Sequence, residues 1–236
     1  CAANVICHIP DLASLFKSVD KCLNKNGLFI FEEPYLGSMF EKTSYDQIYD
    51  EHIFMFSASS VQKICLLFDM ELIDILKQET HGGSLRYVCA RKNVYKVKTN
   101  VNYFIDKEKK NNLDNIHSCF EFKKNCENSK KNLKEKLFKL KEDNKKICGY
   151  AATSKSTTIL NYCNIGTEII DFICDTTPEK IGKFSPGMHI PIKPINYFHE
   201  NYPDIAFLFA WNHKEEIFEK EKEFSNKGKW FAHVEL

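Results

Sequence analysis

The stretch "ANVICHIPDLASLFKSVDKCLNKNGLFIF", residues 3–31, indicates the class of fold. A short apolar run that ends at His8 predicts a buried strand, and the apolar positions within residues 12–23 then follow helical spacing. Asp11 is placed to cap this helix and Gly27 to end it. The run "LFIF" that follows is continuous and apolar, which is typical of a strand covered on both faces. A strand, a helix and a second strand in this order predict an α/β protein.

The segments that follow extend this unit to about residue 95. "SASSVQKICLLFDM" predicts a helix capped by Ser57 or Ser59. "ELIDIL" and "LRYVCAR" predict two strands, and we expect them to pair antiparallel because "KQETHGGS" between them contains no helix. Residues 1–95 should therefore form a mostly parallel sheet that is finished by an antiparallel pair.

The composition changes after Arg91. Residues 96–145 are rich in Lys, Asn and Glu, and apolar residues around Ile116 and around Leu137 predict two amphipathic helices in a linker. This Lys-rich run is either an anion-binding surface or a solvated helix face, and the interleaved acids favour the latter. An α/β pattern returns at residues 146–236, with a strand ending at Gly149, a helix from near Thr157, strands in "EIIDFICD", "DIAFLFAW" and "KWFAHVEL", and a helix in "HKEEIFEKEKEF".

Charge and cysteine content exclude several classes of protein. The 33 basic and 32 acidic side chains nearly cancel, which argues against a general nucleic-acid or membrane-surface role. The ten cysteines lie mostly in apolar runs and form no CxxC pair, so we expect a reduced, cytoplasmic protein without a metal site of its own. The chain begins with Cys1 rather than Met, directly on an apolar run, and we therefore expect sequence to be missing upstream.

The stretch "SYDQIYDEH", residues 44–52, holds an unusual density of proton-handling groups. If it is helical, Tyr49 and His52 share a face. A histidine accepts protons near neutral pH, a phenol donates a hydrogen bond to an oxygen that gains charge, and Glu51 can tune either group. These groups suit the removal of a proton next to a carbonyl. The alternative is a polar helix end packed by Tyr49 and Ile53.

Two further candidates follow predicted strands, where open α/β sheets bind ligands. His8 closes the first strand, as either an active-site group or a hydrogen-bonded strand end. "GYAATSKSTT", residues 149–158, joins a strand to a helix and carries Lys155, an arrangement that suits an anion or a nucleotide. It lacks the glycine spacing of dinucleotide-binding loops, which argues against a nicotinamide-dependent dehydrogenase.

Two loops complete the candidates. In "HGGSLR", residues 81–86, the two glycines allow a close approach of the backbone and Arg86 can grip phosphate, or the loop is simply a turn that needs glycine. In "SPGMHIPI", His189 faces a ligand or braces the turn.

Several blocks in this order resemble the sugar C-methyltransferases: "ANVICHIPDL", "EEPYLGSMFEKTSYDQIYDEHIFMFSASSV", "HGGSLRY", "GYAATSKSTTILNYC", and "FSPGMHIPI" followed by "PDIAFLFAWNHKEEI". These enzymes use S-adenosyl-L-methionine to methylate a ring carbon of nucleotide-linked keto-deoxysugars. The resemblance implies an incomplete class I methyltransferase (Rossmann-like) domain at 1–95, a helical linker at 96–145 and a smaller Rossmann-like C-methyltransferase domain at 146–236. The zinc-binding domain and the Gly-rich cofactor loop of the family would lie upstream, so zinc is expected only there.

The resemblance also implies roles for individual residues. His52 is the general base, Tyr49 stabilises the enolate oxygen, Glu51 supports the pair, and His8 is a second active-site histidine. The implied substrate-binding residues are Tyr35, His81, Gly82, Gly83, Ser84, Arg86, Ser154, Lys155 and His189. The implied substrate is a small-molecule, dTDP-type 4-keto-deoxysugar, and the complete protein is expected to be a monomer that binds neither nucleic acid nor membrane. The alternative function is a non-catalytic nucleotide-binding module or an inactive fragment that lacks the loop for S-adenosyl-L-methionine.

Overall fold

The computed structural model describes residues 1–235, and the chain divides into two compact units. Unit 1 consists of Cys1–Glu41 and Asp50–Lys123, and unit 2 of Lys42–Tyr49 and Lys124–Leu236. This division differs from the one expected at residues 95 and 145. The helical region that follows residue 95 belongs to unit 1 as far as Lys123, and the short segment 42–49 belongs to the second unit.

Unit 1 contains a mixed sheet with helices packed against it. Its strands are β1 (Ala2–Ala3), β2 (Leu28–Pro34), β3 (Met70–Gln78) and β4 (Ser84–Arg91), and the helices of this part of the chain are α1 (Leu12–Cys22), α2 (Leu36–Lys42), α3 (Ala58–Leu67), α4 (Thr99–Lys110) and the long α5 (Ile116–Glu142). The strand order is β1-β2-β4-β3. β1 and β2 are parallel, whereas β4 is antiparallel to both β2 and β3. The expected antiparallel pairing of β3 with β4 is confirmed, but the expectation of a mostly parallel sheet was wrong, because β2 also pairs antiparallel with β4.

Helix α1 and helix α3 begin where side chains accept their first amide groups. The Asp11 carboxylate accepts the Ser14 amide at 2.9 Å, as the sequence predicted. Ser57 and Ser60 form a reciprocal capping box at the start of α3. The buried carboxylate of Glu108, on α4, also accepts the amides of Ala58 at 2.6 Å and of Ser59 at 2.9 Å. This ties α4 to the start of α3.

The core of unit 1 is aromatic. Phe31 and Tyr87 are fully buried on neighbouring strands with ring centroids 5.0 Å apart, and Phe16 of α1 packs edge to face on Phe29 at 5.7 Å. Such contacts bury large apolar areas and fix α1 on the sheet.

Unit 2 is an open, fully parallel sheet. Its strands are β5 (Ile147–Tyr150), β6 (Ile173–Asp175), β7 (Ile192–Pro194), β8 (Ile205–Leu208) and β9 (Lys229–Phe231), and its later helices are α6 (Ser154–Cys163), α7 (Ile195–Glu200), α8 (Lys214–Lys220) and α9 (Lys222–Lys227). The order is β7-β6-β5-β8-β9. Every neighbouring pair is parallel. Strands β6 and β7 therefore lie on one side of β5, and strands β8 and β9 lie on the other side.

Several local predictions were wrong. The first strand is only Ala2–Ala3, and His8 ends a 3-10 turn (Ile6–His8) rather than the strand. Residues 116–140 lie in one continuous helix and not in two. Helix α6 begins at Ser154 rather than near Thr157. The segment "HKEEIFEKEKEF" forms two short helices, and β7 with α7 had not been expected.

Two further features of residues 1–235 concern membrane-spanning helices and the state of the cysteines. No helix within residues 1–235 has the length and apolarity needed to cross a bilayer. All ten cysteines are free thiols.

Candidate active site

Two histidines of unit 1 meet in space. The rings of His8 and His52 pack edge to face, with centroids 5.3 Å apart and planes at 85°. Both side chains are partly exposed, so they combine a fixed geometry with access from solvent. They are 44 positions apart in sequence and are brought together because the Cys7 carbonyl accepts the amides of Ile53 at 3.0 Å and of Phe54 at 3.3 Å.

A buried carboxylate fixes the turn that carries His8. Glu33, near the carboxyl end of β2, is fully buried, and its Oε1 accepts the amides of Val5 at 3.0 Å and of Ile6 at 2.6 Å. These bonds satisfy two backbone donors in place of strand pairing. They explain why residues 6–8 form a 3-10 turn instead of continuing β1.

The same corner of unit 1 contains a cluster of metal-ligand types. The ligand atoms of Cys7, His8 and His52 lie within 4.8 Å of one another, so these three residues could hold a soft metal ion such as zinc. Burial, together with the neighbouring Glu33 carboxylate, raises the pKa of the Cys7 thiol far above its ordinary value. The thiol form therefore dominates near neutral pH.

The stretch "SYDQIYDEH" is not helical. Tyr45–Gln47 form a 3-10 turn, and Tyr49 to Glu51 continue in bends and turns. The prediction that Tyr49 and His52 share a helix face is therefore wrong. Tyr49 is half-buried and belongs to unit 2, whereas Glu51 is exposed and belongs to unit 1 with His52.

Unit 2 holds a buried polar network around Asp46, which sequence reasoning missed. The Asp46 carboxylate is fully buried and accepts the indole N–H of Trp211 at 2.8 Å. Lys155 Nζ lies 3.7 Å from the same oxygen, Oδ2, and His233 Nε2 lies 3.1 Å from the other oxygen, Oδ1. An acid within a polar stretch gives no sign of burial, and its partners lie more than 100 residues away in the sequence.

Comparisons with known proteins agree with one another. Residues 79–234 match the family model of the C-methyltransferase C-terminal domain, and residues 1–75 match a methyltransferase domain. The chain is 32% identical over 225 residues to the C-methyltransferase NovU of Streptomyces niveus, which covers 94% of this chain and 53% of that protein. The chain belongs to the C-methyltransferase family. It spans about half the length of the curated relative that it matches.

Membership of the C-methyltransferase family agrees with the resemblance and with the α/β fold, and the structure shows the surroundings of the expected site residues. Tyr35 is 4% exposed and packs in the core of unit 1, where burial and the Glu108 carboxylate raise the pKa of its phenol. The expected substrate contact of Tyr35 stays a prediction.

The C-methyltransferase loop "HGGSLR" is a tight turn between β3 and β4. His81 lies in a 3-10 turn with a φ of 53°, and Gly82 and Gly83 also have positive φ. Ser84 is buried and donates its hydroxyl to the Thr80 carbonyl at 3.0 Å. Arg86 donates to the buried Glu32 carboxylate at 2.8 Å, so this arginine already has an anionic partner. A phosphate contact of this loop stays a prediction.

The three expected substrate-binding residues of unit 2 differ in their exposure to solvent. Lys155 is buried and donates to Asn212 at 3.0 Å, beside Asp46, and its expected contact with an anion or a nucleotide stays a prediction. Ser154 is the exposed first residue of α6, and His189 is exposed with a φ of 53°. Both stay predictions as substrate contacts.

Proposed function

We propose that the protein is an S-adenosyl-L-methionine-dependent C-methyltransferase that acts on a nucleotide-linked, dTDP-type 4-keto-deoxysugar. The observation that carries the proposal is the His8–His52 pair in a chain of the C-methyltransferase family. A carbon nucleophile needs a base to form it, and transfer to a carbon therefore calls for a proton acceptor next to the substrate. We further propose a monomeric, cytoplasmic enzyme whose partners are small molecules.

In this mechanism His52 takes a proton from the carbon next to the keto group. The keto group acidifies this proton, and the electron pair left behind is shared with the carbonyl oxygen. Tyr49 donates a hydrogen bond to this oxygen as negative charge develops on it. The edge-to-face contact with His8 keeps the His52 ring in one orientation. Glu51, next to His52 in the chain, supports the imidazolium charge that forms.

Orphaned acceptor atoms of unit 1 suit a cationic cofactor. Asn4 follows β1 and Glu33 lies near the end of β2, the edge at which open α/β sheets bind ligands. The buried atoms Asn4 Oδ1 and Glu33 Oε2 accept no N–H or O–H hydrogen bond within residues 1–235. S-adenosyl-L-methionine, when bound, supplies the methyl group, and its ammonium group is a donor that these two residues would hold.

The experiment that tests the proposal is a methylation assay of the full-length protein. It is incubated with S-adenosyl-L-methionine and a dTDP-linked 4-keto-deoxysugar, and the product is analysed by mass spectrometry. We expect one carbon-bound methyl group per sugar, and no product when the keto group is first reduced to an alcohol. Methylation of the reduced sugar at the same rate would contradict the enolate mechanism.

A further inference from the structure

We infer that Asp46 is a positioning residue for this reaction: its buried carboxylate holds residues 44–49 against the crevice where β5 and β8 end, and so fixes the place of Tyr49. The inference rests on the proposed function, because that function assigns Tyr49 to the enolate oxygen. Neither family membership nor the sequence indicates such a role for Asp46.

The crevice is defined by the topology of unit 2. After β5 the chain forms β6 and β7 on one side of it, and then β8 and β9 on the other side. The direction in which strands follow one another across the sheet therefore reverses between β5 and β8. Outside the carboxyl ends of strands, such a reversal is the usual ligand site of an open α/β sheet. Lys155 follows β5 and Asn212 follows β8, and their side chains meet here at 3.0 Å. Lys155 Nζ also lies 5.0 Å from the centre of the Trp211 ring.

The chain's own carboxylate takes the place that a ligand anion would occupy. Asp46 is bound by Trp211, in the 3-10 turn after β8, and by Lys155, in the first turn of α6 after β5. His233, which comes after β9, binds the second oxygen. A nucleotide-binding module would need this crevice and its lysine for the ligand, so the occupied crevice argues against that alternative function.

Residues that precede and follow Asp46 in the sequence also contact other parts of unit 2. The Tyr45 hydroxyl lies 3.5 Å from Cys163 Sγ, and its ring packs edge to face on Tyr162 and on His233, at 5.1 Å in each case. On the other side, the Thr158 hydroxyl lies 3.4 Å from the Ile48 carbonyl. Tyr49 is the next residue, so the segment is fixed up to the residue that precedes it.

Charge makes the position of the segment specific. A carboxylate removed from water needs compensating partners, and moving the segment by one residue would leave Asp46 and the Lys155 amino group buried apart from each other. An apolar side chain at position 46 would tolerate such a shift. We therefore assign the register of residues 44–49 to this one carboxylate.

The first test measures anchoring without activity. Amide hydrogen exchange of the full-length protein is followed by mass spectrometry in Asp46→Asn and in the control Glu223→Gln, which breaks an exposed ion pair of the same unit. We expect exchange of residues 42–52 to become at least about tenfold faster in Asp46→Asn alone, with α6 and β5 unchanged. Unchanged exchange in 42–52 would overturn the inference. If Asp46→Asn does not fold, Trp211→Phe, which keeps the Asp46 carboxylate but removes its indole donor and part of the ring beside Lys155, is judged by the same criterion.

The second test is a double-mutant cycle with Tyr49→Phe. If Asp46 acts through Tyr49, Asp46→Asn lowers kcat at least about tenfold in the natural background but by less than about twofold beside Tyr49→Phe, with little change in KM. An equal fold loss in both backgrounds would show a general structural effect and overturn the inference. A Tyr49→Phe protein with full kcat would instead contradict the proposed role of Tyr49, and exchange rates alone would then decide whether Asp46 anchors the segment.

Discussion

His8 and His52 are 44 residues apart in sequence, yet their rings pack edge to face at 5.3 Å. Two histidines in contact can differ in role, because one accepts the proton while the other orients its neighbour. We expect His52→Gln to lower kcat by about a hundred- to ten-thousandfold, the usual contribution of a general base, and His8→Gln to lower it less. Steady-state methylation kinetics measure both values. His117→Gln, an exposed histidine of α5, is the control. A smaller loss in His52→Gln than in His8→Gln would reverse the assignment.

The carboxylate of Glu33 is expected to hold the turn that carries His8. Glu33→Ala removes the acceptor of the buried Ile6 amide and of the partly buried Val5 amide, which we expect to lower the free energy of unfolding by about 2–4 kcal/mol. Glu33→Gln keeps an acceptor oxygen and should lower it by less. Urea unfolding followed by circular dichroism measures the difference, and equal losses in the two variants would argue against the hydrogen bonds as the cause.

The Gly83 position should not tolerate a side chain. Its φ is 131°, and a Cβ atom would lie 2.5 Å from Ser38 Oγ and 2.7 Å from Ser38 Cβ. We expect Gly83→Ala to lower the free energy of unfolding by at least about 2 kcal/mol. Gly182→Ala is the matched control, because that glycine has a φ of 79° but no atom within 4 Å of the added Cβ. Ser38→Gly should partly restore the stability of Gly83→Ala, and a Gly83→Ala protein no less stable than Gly182→Ala would contradict this account.

The stability of unit 2 should depend on acid through Asp46. Burial acts to raise the pKa of this carboxyl group, but the hydrogen bond and charge of His233, the charge of Lys155 and the indole N–H of Trp211 outweigh it and lower the pKa. A carboxyl group whose pKa is lower in the folded than in the unfolded state stabilises the fold. This stabilisation is complete above the unfolded-state pKa of about 3.9 and is lost as the pH falls through the folded-state pKa.

The natural protein should therefore lose more stability than Asp46→Asn when the pH falls below about 4, whereas the difference between them should be constant at higher pH. Urea midpoints at several pH values measure this, and subtraction of the two proteins removes the contributions of other acids such as Asp74 and Asp175, whose pKa values are also lowered. A constant difference at every pH would contradict the linkage.

The sequence predicted the elements whose causes are local. The cap at Asp11, the cap at Ser57 and the antiparallel pairing of β3 with β4 follow from neighbouring residues, and all are confirmed. The short first strand could not be predicted, because the backbone amides after Ala3 donate to the Glu33 carboxylate. This side chain is 27 residues away from Ile6 in the sequence.

The structure of "SYDQIYDEH", residues 44–52, could not be predicted for the same reason, because it depends on residues distant in the sequence. Its residue types indicated chemistry, but its lack of helix and the burial of Asp46 depend on Lys155, Trp211 and His233. Lys155 was expected at an anion or a nucleotide because its position after a strand is a usual one for anions. An anion is indeed beside it, but this anion is a carboxylate of the same chain.

The central claim is that His52 removes the proton from the carbon next to the keto group. The most direct test separates this step from methyl transfer. The full-length protein is incubated in heavy water with a dTDP-linked 4-keto-deoxysugar, with S-adenosylhomocysteine in place of the methyl donor, and deuterium in the sugar is measured by NMR. We expect deuterium at the carbon next to the keto group with the natural protein and none with His52→Gln. Equal incorporation by both proteins would contradict the assignment of His52 as the base.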